Sequence, residues 1–292
     1  MEESQLFVGA ATDAGTVRDT NEDRVHHERL PATSPDAPEA YLLAVADGMG
    51  GYERGEIASK MAIDILHERV QTLDTDDASL ILKQAYRRAN ERIHEDGSAQ
   101  GEENMMGTTL VSGLVVGNDI TIANVGDSRA YLLRAGALTQ VTEDHSLIAE
   151  QVRMGVITAE EARTANHKNI ITRALGHRPR VDVDIYELTL LPEDRLLLST
   201  DGVHDFLEED EMRALLADHD PDDAAQSLVE SALERGSNDN VTALCVWMAP
   251  VEALVETVEE GVADRRSSML VPVLVGVALV IVILIIAVLL FL

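Results

Sequence analysis

Four aspartates stand where predicted strands end or begin. Asp47 follows the apolar run YLLAVA, Asp127 and Asp201 follow later apolar runs, and Asp239 precedes the last one. Gly48 opens a glycine-rich turn after Asp47, which lets a backbone carbonyl approach a ligand closely. Carboxylate and carbonyl oxygens are the ligands that hard cations prefer. Each aspartate alone is equally explained by an ordinary turn, so the hypothesis of a shared site depends on their convergence.

Four converging carboxylates would need cations to offset their mutual repulsion, and all-oxygen ligands favour Mg²⁺ or Mn²⁺ over zinc. The nine histidines include no H-E-x-x-H spacing, and the chain has no G-x-x-x-x-G-K-[ST] loop. The sequence therefore contains neither a zinc-protease motif nor a P-loop.

A second charged segment, RDTNEDR, begins at Arg18 and leads into a predicted strand. Such a cluster is usually a solvated loop. Pairing of this strand with the one that ends at Asp47 would bring Glu22 and Asp23 close to it. Arg18 is a candidate phosphate ligand, because a guanidinium group presents a planar fork of donors.

The apolar spacing predicts the elements that position these residues. It indicates helices at 53–70 and 77–95, several strands within 108–134, and two further helices between about 208 and 235. Short turns between strands predict antiparallel sheets, and the helix pairs predict layers outside them. Helices are also predicted at 143–155 and at 158–163, the second from a T-x-x-E capping box of Thr158 and Glu161, and this helical insertion is predicted to form a flap over the site.

Composition narrows the class of partner. The formal net charge of −29 would repel nucleic acid, so we expect no nucleic-acid partner. This acidic composition indicates a protein adapted to high salt, where screening reduces the repulsion between its charges. Drift in the base composition of the genome is the alternative explanation. The single cysteine, Cys245, excludes an internal disulfide and lies in an apolar run, as expected of a core residue.

Residues 269–292 are predicted to form a membrane anchor. Residues 269–292 are uncharged and apolar, and a helix of this length would measure about 36 Å, enough to cross a hydrocarbon core of about 30 Å. Arg265 and Arg266 precede this segment and predict that the chain before it faces the cytoplasm. We find no signal-peptide pattern at the start. The expected organisation is a catalytic domain at 1–250, an acidic juxtamembrane linker at 251–268 and a single-pass transmembrane helix at 269–292 in the cell membrane.

Eight short motifs, each weak alone, occur together in one order. They are R-x-x-x-E-D from Arg18, D-G-M-G-G from Asp47, G-T-T from Gly107, G-D-S-R from Gly126, D-H-S from Asp144, I-T-R-A-L-G from Ile171, S-T-D-G-V from Ser199 and D-N-V-T from Asp239. Over about residues 6–248 the chain thus resembles the metal-dependent protein serine/threonine phosphatases, the PPM or type 2C family, in its compact prokaryotic form. The resemblance implies an α+β fold, a four-layer α/β/β/α sandwich in which antiparallel helix pairs flank two antiparallel β-sheets.

The resemblance also implies two Mn²⁺ or Mg²⁺ ions at one end of the sandwich, with a third, weaker site. Asp47 would bridge the two ions and the Gly48 carbonyl would bind one of them. Asp201 and Asp239 would hold the other. Asp127 would bind the third ion with help from Asp201.

Three further residues take roles from the same resemblance. Glu22 and Asp23 would act mostly through metal-bound waters, and Arg18 would hold the substrate phosphate. The metals would activate a water that attacks phosphorus in line with the leaving serine or threonine oxygen.

One position departs from the eukaryotic relatives. They carry a histidine, a proposed general acid, where this chain has Met49, which cannot donate a proton. Because prokaryotic members often share D-G-M-G-G, we do not interpret Met49 as inactivating. A metal-bound water is then the expected donor. His145 is a second candidate, with a structural role at a helix start as its alternative.

The predicted function is hydrolysis of phosphoserine and phosphothreonine in proteins, opposing membrane-associated serine/threonine kinases. A catalytically silent phosphoprotein-binding module would be expected to lack a metal carboxylate, and none is missing. A phosphatase of another phosphate ester remains open, because the groove and flap have no readable specificity.

Overall fold

Apolar runs of the chain form two five-stranded sheets in the computed structural model, which describes residues 4–32, 34, 37–50, 54–72, 77–99, 105–158, 161–162 and 170–250. In chain order the strands are β1 (Ser4–Asp13), β2 (Arg24–Leu30), β3 (Ala40–Ala46), β4 (Gly48–Gly50), β5 (Met106–Thr108), β6 (Leu110–Val116), β7 (Asp119–Val125), β8 (Arg129–Arg134), β9 (Ala137–Gln140), β10 (Asp184–Thr189), β11 (Arg195–Ser199) and β12 (Val241–Pro250). The helices are α1 (Arg54–Thr72), α2 (Ala78–Ala99), α3 (Leu147–Arg153), α4 (Asp201–His204), α5 (Glu209–Asp218) and α6 (Pro221–Glu234).

The strand order is β1-β12-β11-β8-β9 in one sheet and β10-β7-β6-β3-β2 in the other, with β4 and β5 as a separate short pair. The pairings with a described register are antiparallel, as the short turns predict. Chain contacts define a compact unit at Leu6–Met248 and a second unit of Met1–Gln5 with Ala249–Leu292. Of the second unit, only residues 4–5 and 249–250 are described.

Both faces of β3 are covered, which explains its uninterrupted apolar sequence. Leu42 and Ala44 pack with residues of α1 and α2, whereas Leu43 and Val45 pack with residues of the other sheet. The same alternation holds in β11, where Leu197 belongs to the cluster formed with α4, α5 and α6. Three buried clusters thus fill the three interfaces of a four-layer α/β/β/α arrangement, as predicted.

Cys245 of β12 is buried in the cluster beneath α5 and α6. Burial raises the pKa of its thiol far above the ordinary range. It is therefore an inert core residue, as its apolar surroundings in the sequence predict.

The predicted insertion helix differs from the observed one in length. The sequence predicts a helix from residue 143 to 155, whereas α3 spans Leu147–Arg153. The helix begins late because the Ser146 side chain accepts a hydrogen bond from the backbone N–H of Ala149 and caps it there. The next predicted helix start is present, since the Thr158 and Glu161 side chains form the expected reciprocal capping bonds.

The predicted linker at 251–268 and transmembrane helix at 269–292 lie outside the described residues. Within the part of the chain that is described, no helix combines the length and apolar character needed to span a bilayer.

Candidate metal centre

Five aspartates meet at one end of the sandwich, where loops connect the two sheets. Each stands at the boundary of a different element, so their convergence follows from the topology rather than from sequence spacing. Burial and the charges of the other four raise the pKa of Asp47 well above its usual value, which places all five within mutual electrostatic reach. We call this group the aspartate cluster; its members are Asp23, Asp47, Asp127, Asp201 and Asp239.

Burial and like charge also perturb the other members of the cluster. Burial and neighbouring aspartates raise the pKa of Asp201 well above its usual value. Burial raises the pKa of Asp23 to about 7, and burial together with Asp144 raises that of Asp127 to about 7. Carboxylates held together at this cost are typical of functional sites.

Two oxygens of the cluster are buried without a hydrogen-bond partner. They are Oδ1 of Asp23 and Oδ1 of Asp201. An orphaned buried carboxylate oxygen is costly unless a ligand satisfies it. Hard divalent cations take such oxygens as ligands, so the residues present fit Mg²⁺ or Mn²⁺.

Asp23 is anchored between both sheets. It is almost fully buried, and its Oδ2 accepts hydrogen bonds from the hydroxyls of Thr200 at 2.9 Å and Thr242 at 2.7 Å. Thr200 is also the N-cap residue of α4, directly before Asp201. This network fixes the start of β2 against the ends of β11 and β12.

The Asp47 peptide is held by the G-T-T segment. Its N–H donates to Thr109 Oγ1 at 2.9 Å, and its carbonyl accepts from Thr108 Oγ1 at 2.8 Å and from the Thr109 N–H at 2.9 Å. The Thr109 hydroxyl is also 2.7 Å from that of Ser128, next to Asp127. The two threonines therefore connect two members of the cluster.

Close backbone contact explains the glycines beside Asp47. A Cβ on Gly48 would lie 2.2 Å from the carbonyl oxygen of Gly55, and a Cβ on Gly55 would lie 2.7 Å from the Glu22 carboxyl carbon. The carboxylate of Glu22 accepts backbone hydrogen bonds from Gly55 and Glu56 in the first turn of α1, although burial raises its pKa overall. Glu22 is thus seated on a helix N-terminus beside the Gly48 peptide.

Asn240 positions the charged loop before β2, a role that sequence reasoning missed. Its Oδ1 accepts from the Glu22 N–H at 2.8 Å, while its Nδ2 donates to the carbonyls of Ala14 at 2.9 Å and Thr20 at 3.0 Å. The Glu22 carbonyl accepts from Ser59 of α1 at 2.6 Å. The D-N-V-T motif contained Asn240 but gave no indication of these partners, which are more than 200 residues away.

Arg18 lies at the mouth of the cluster. Its Nη2 is 2.7 Å from Oδ2 of Asp239, and half of the Arg18 side chain is exposed. Partial burial lowers its pKa, but the hydrogen bond and the charges of Asp239, Glu22 and Asp47 raise it overall. The structure thus brings Arg18 to the cluster, as the sequence predicts.

Positions 49 and 145 bear on the source of the proton for the leaving oxygen. Met49 pairs with Gly107 across β4 and β5 and carries no proton. His145 is buried; its Nδ1 accepts from the Gly126 N–H at 2.9 Å and its Nε2 is 2.9 Å from Asp184 Oδ2. With both ring nitrogens engaged, His145 holds the turn before Asp127, which confirms its structural alternative.

A cleft of about 670 Å³ opens beside Asp127 and Asp201. Residues of α3, including Ile148 and Val152, form part of its wall, so the described part of the predicted flap borders the site. The opposite wall comes from the segment after α4 and from α5. The volume of the cleft lies within the range of about 300–1,000 Å³ that is typical of ligand-binding clefts.

Comparisons of the sequence and of the structure with known proteins both find serine/threonine phosphatases. The family model described as Protein phosphatase 2C matches residues 8–241. The serine/threonine phosphatase stp of Listeria welshimeri is 36% identical over 240 residues, covering 80% of this chain and 93% of that protein. The crystal structure of the Mycobacterium tuberculosis phosphatase PstP/Ppp superposes with a TM-score of 0.74 at 35% identity, covering 84% of this chain and 99% of that one.

A further solved structure bears on the metals. The catalytic domain of PstP in complex with two manganese ions matches with a TM-score of 0.71 at 35% identity, covering 84% of this chain and 98% of that chain.

Proposed function

The chain belongs to the protein phosphatase 2C family, and from that premise we propose that its aspartate cluster is a two-metal centre for hydrolysing phosphoserine and phosphothreonine in proteins. The activity and its dependence on Mn²⁺ or Mg²⁺ are those of the family. The observation that supports this location is the pair of orphaned carboxylate oxygens, on Asp23 and Asp201, within a cluster of buried acids.

We assign the proposed ligands to two main ions and one weaker ion. Asp47 would contact both ions, with the Gly48 carbonyl on one, and Asp201 and Asp239 would hold the other. Asp127 with Asp201 would form a third, weaker site. Because all of these ligands are oxygens, the site selects hard divalent cations.

Glu22 and Asp23 are assigned an outer role. The hydrogen bonds of Glu22 to the first turn of α1 and of Asp23 to two threonine hydroxyls leave each carboxylate only part of its acceptor capacity. We therefore expect them to act mostly through waters that a bound cation retains. Mg²⁺ in particular keeps several waters in protein sites.

Arg18 is the proposed phosphate ligand. In the structure its guanidinium pairs with Asp239. A cation on Asp239 would offset that charge, so the exposed guanidinium would be available to two phosphoryl oxygens. When bound, the cations supply a nucleophilic water at neutral pH and neutralise charge on the phosphoryl oxygens. Met49 has no proton to donate and His145 is engaged through both ring nitrogens, so we assign neither as the proton donor to the leaving oxygen.

The cellular location of the protein is proposed from the sequence alone. Residues 269–292 would anchor the chain in the cell membrane, with the catalytic domain on the cytoplasmic side after a linker at 251–268. Membrane-associated serine/threonine kinases and their phosphoprotein substrates would then be natural counterparts. A chain ending at Asp264 should leave the membrane fraction and keep its activity. Recovery of that shortened chain with the membranes would contradict the anchor.

Hydrolysis of a phosphothreonine peptide tests the centre. We expect turnover with Mn²⁺ or Mg²⁺, none with chelator, and a loss of at least about a hundredfold in Asp201→Asn. The matched control is Asp210→Asn, which removes one carboxylate from the exposed surface of α5. Full activity of Asp201→Asn, or equal losses in both variants, would refute the assignment.

A further inference from the structure

Two histidines and a glutamate come together on the far side of β2, outside the aspartate cluster. His26 and Glu28 are two residues apart on β2 and so project from the same face of the strand, toward α1. His67 projects from α1 and contacts both Glu28 and His26. We call these three residues the histidine cluster.

The ligating atoms of the histidine cluster are already close. Glu28 Oε2 lies 2.6 Å from His67 Nε2 and 3.6 Å from His26 Nε2, and the nitrogen and oxygen donors of all three residues fall within 4.8 Å of one another. Tetrahedral zinc with bonds of about 2.0–2.1 Å places its ligands roughly 3.4 Å apart. These separations lie on both sides of that value, so small side-chain rotations would suffice.

The polar atoms of the cluster are poorly satisfied. His26 Nε2 and Glu28 Oε2 are buried and make no hydrogen bond of acceptable geometry. Burial and the neighbouring His67 lower the pKa of His26, which favours the neutral imidazole, the ligating form. A bound ion would satisfy both atoms at once.

We propose that His26, Glu28 and His67 form a peripheral site for one Zn²⁺ ion, with a fourth position left to water. Two imidazoles and one carboxylate are a ligand set that zinc accepts with an open position, and imidazole favours zinc over Mg²⁺. The aspartate cluster, by contrast, contains only oxygen donors.

The site is separate from the catalytic one but shares two elements with it. His26 is about 10 Å and Glu28 about 17 Å along β2 from Asp23, by strand rise. A bound ion would tie the outer half of β2 to α1, whose first turn seats Glu22. Gln71 Nε2 is 2.8 Å from His67 Nε2, and this exposed amide would move aside on binding.

Zinc binding by the full chain tests the proposal. Equilibrium dialysis against Zn²⁺ in excess Mg²⁺ should show one equivalent more in the wild type than in His67→Gln or His26→Asn, or at least a tenfold weaker last equivalent in those variants. The matched control is His27→Asn, because His27 is the exposed neighbour of His26 on the same strand. It should bind zinc as the wild type does.

Co²⁺ spectra identify the ligands independently of activity. Four-coordinate Co²⁺ with imidazole ligands absorbs visible light much more strongly than six-coordinate, all-oxygen Co²⁺. The strong band should be present in the wild type and His27→Asn and absent in His67→Gln. Unchanged Mg²⁺-dependent hydrolysis in each variant shows that it is folded. Identical zinc stoichiometry and cobalt spectra in the wild type and His67→Gln would overturn the proposal.

Discussion

Replacing Asn240 by alanine should destabilise the protein and loosen the loop that carries Arg18 and Glu22. The side chain is 5% exposed and makes three hydrogen bonds to backbone groups, at 2.8, 2.9 and 3.0 Å. At about 1 kcal/mol each, their loss amounts to about 3 kcal/mol. Water can reach the half-buried partners Ala14 and Thr20 in part, so about 2–3 kcal/mol is the expected range.

The free energy of unfolding is measured by urea titration with saturating Mn²⁺. In a domain of this size, about 2–3 kcal/mol corresponds to a fall in Tm of roughly 5–10 °C. Hydrolysis of a phosphothreonine peptide should fall at least tenfold in the folded variant, because a displaced loop misplaces Arg18.

Asn238→Ala is the matched control, since Asn238 is exposed and only two residues away. It should change the unfolding free energy by less than about 0.5 kcal/mol. If Asn240→Ala lost no more than this control, the three hydrogen bonds would not be what holds the loop, and the reasoning would be wrong.

Two other predictions concern the core and the pH dependence. Tyr86→Phe should lower the unfolding free energy by about 1–2 kcal/mol in urea titrations, because the buried hydroxyl donates to the Ala123 carbonyl at 2.8 Å; Tyr41→Phe, which loses only an exposed 3.3 Å contact, should change little. In chelator, the metal-free protein should become less stable as pH rises from about 4 to about 7: burial and Asp144 raise the pKa of Asp127 from 3.8 to about 7, so the native state keeps a proton that the unfolded chain has lost. The raised pKa of Asp127 corresponds to about 4 kcal/mol of unfolding free energy at most, and this stabilisation is fully present below pH 4. If the unfolding free energy of Asp127→Asn declined as steeply with pH, Asp127 would not be the group responsible.

The sequence predicted the layers and the position of each aspartate at a strand boundary, because both depend on patterns within single elements; that the aspartates converge was implied only by the family resemblance. A strand buried on both faces is apolar throughout, as β3 is, and an aspartate at its end is visible without knowing its neighbours. Asp47, Asp127 and Asp201 do lie within electrostatic reach of one another, as the resemblance implies.

What the sequence could not predict depends on pairs of residues that are far apart in the chain. The bond between Glu22 and Asn240 spans 218 residues, and the contact between Glu28 and His67 arises only because α1 crosses β2. The spacing of apolar residues along the chain contains no information about such pairs. The late start of α3 was missed for a related reason, since the Ser146 cap competes with helical spacing that continues upstream.

The chemistry of the loop anchors follows from the charge of the site they surround. The peptides at Glu22 and Asp47 are held by neutral side chains, namely Asn240, Ser59 and Thr109. A lysine or arginine in these places would compete with the cations for the same carboxylates, and another acid would add like charge to a cluster in which burial, with neighbouring acids, already raises the pKa values of Asp23 and Asp127 to about 7. Neutral anchors keep the loops in place without adding positive charge to the cluster. The cations themselves then supply the stabilisation, so metal binding and the stability of this end of the sandwich should rise and fall together.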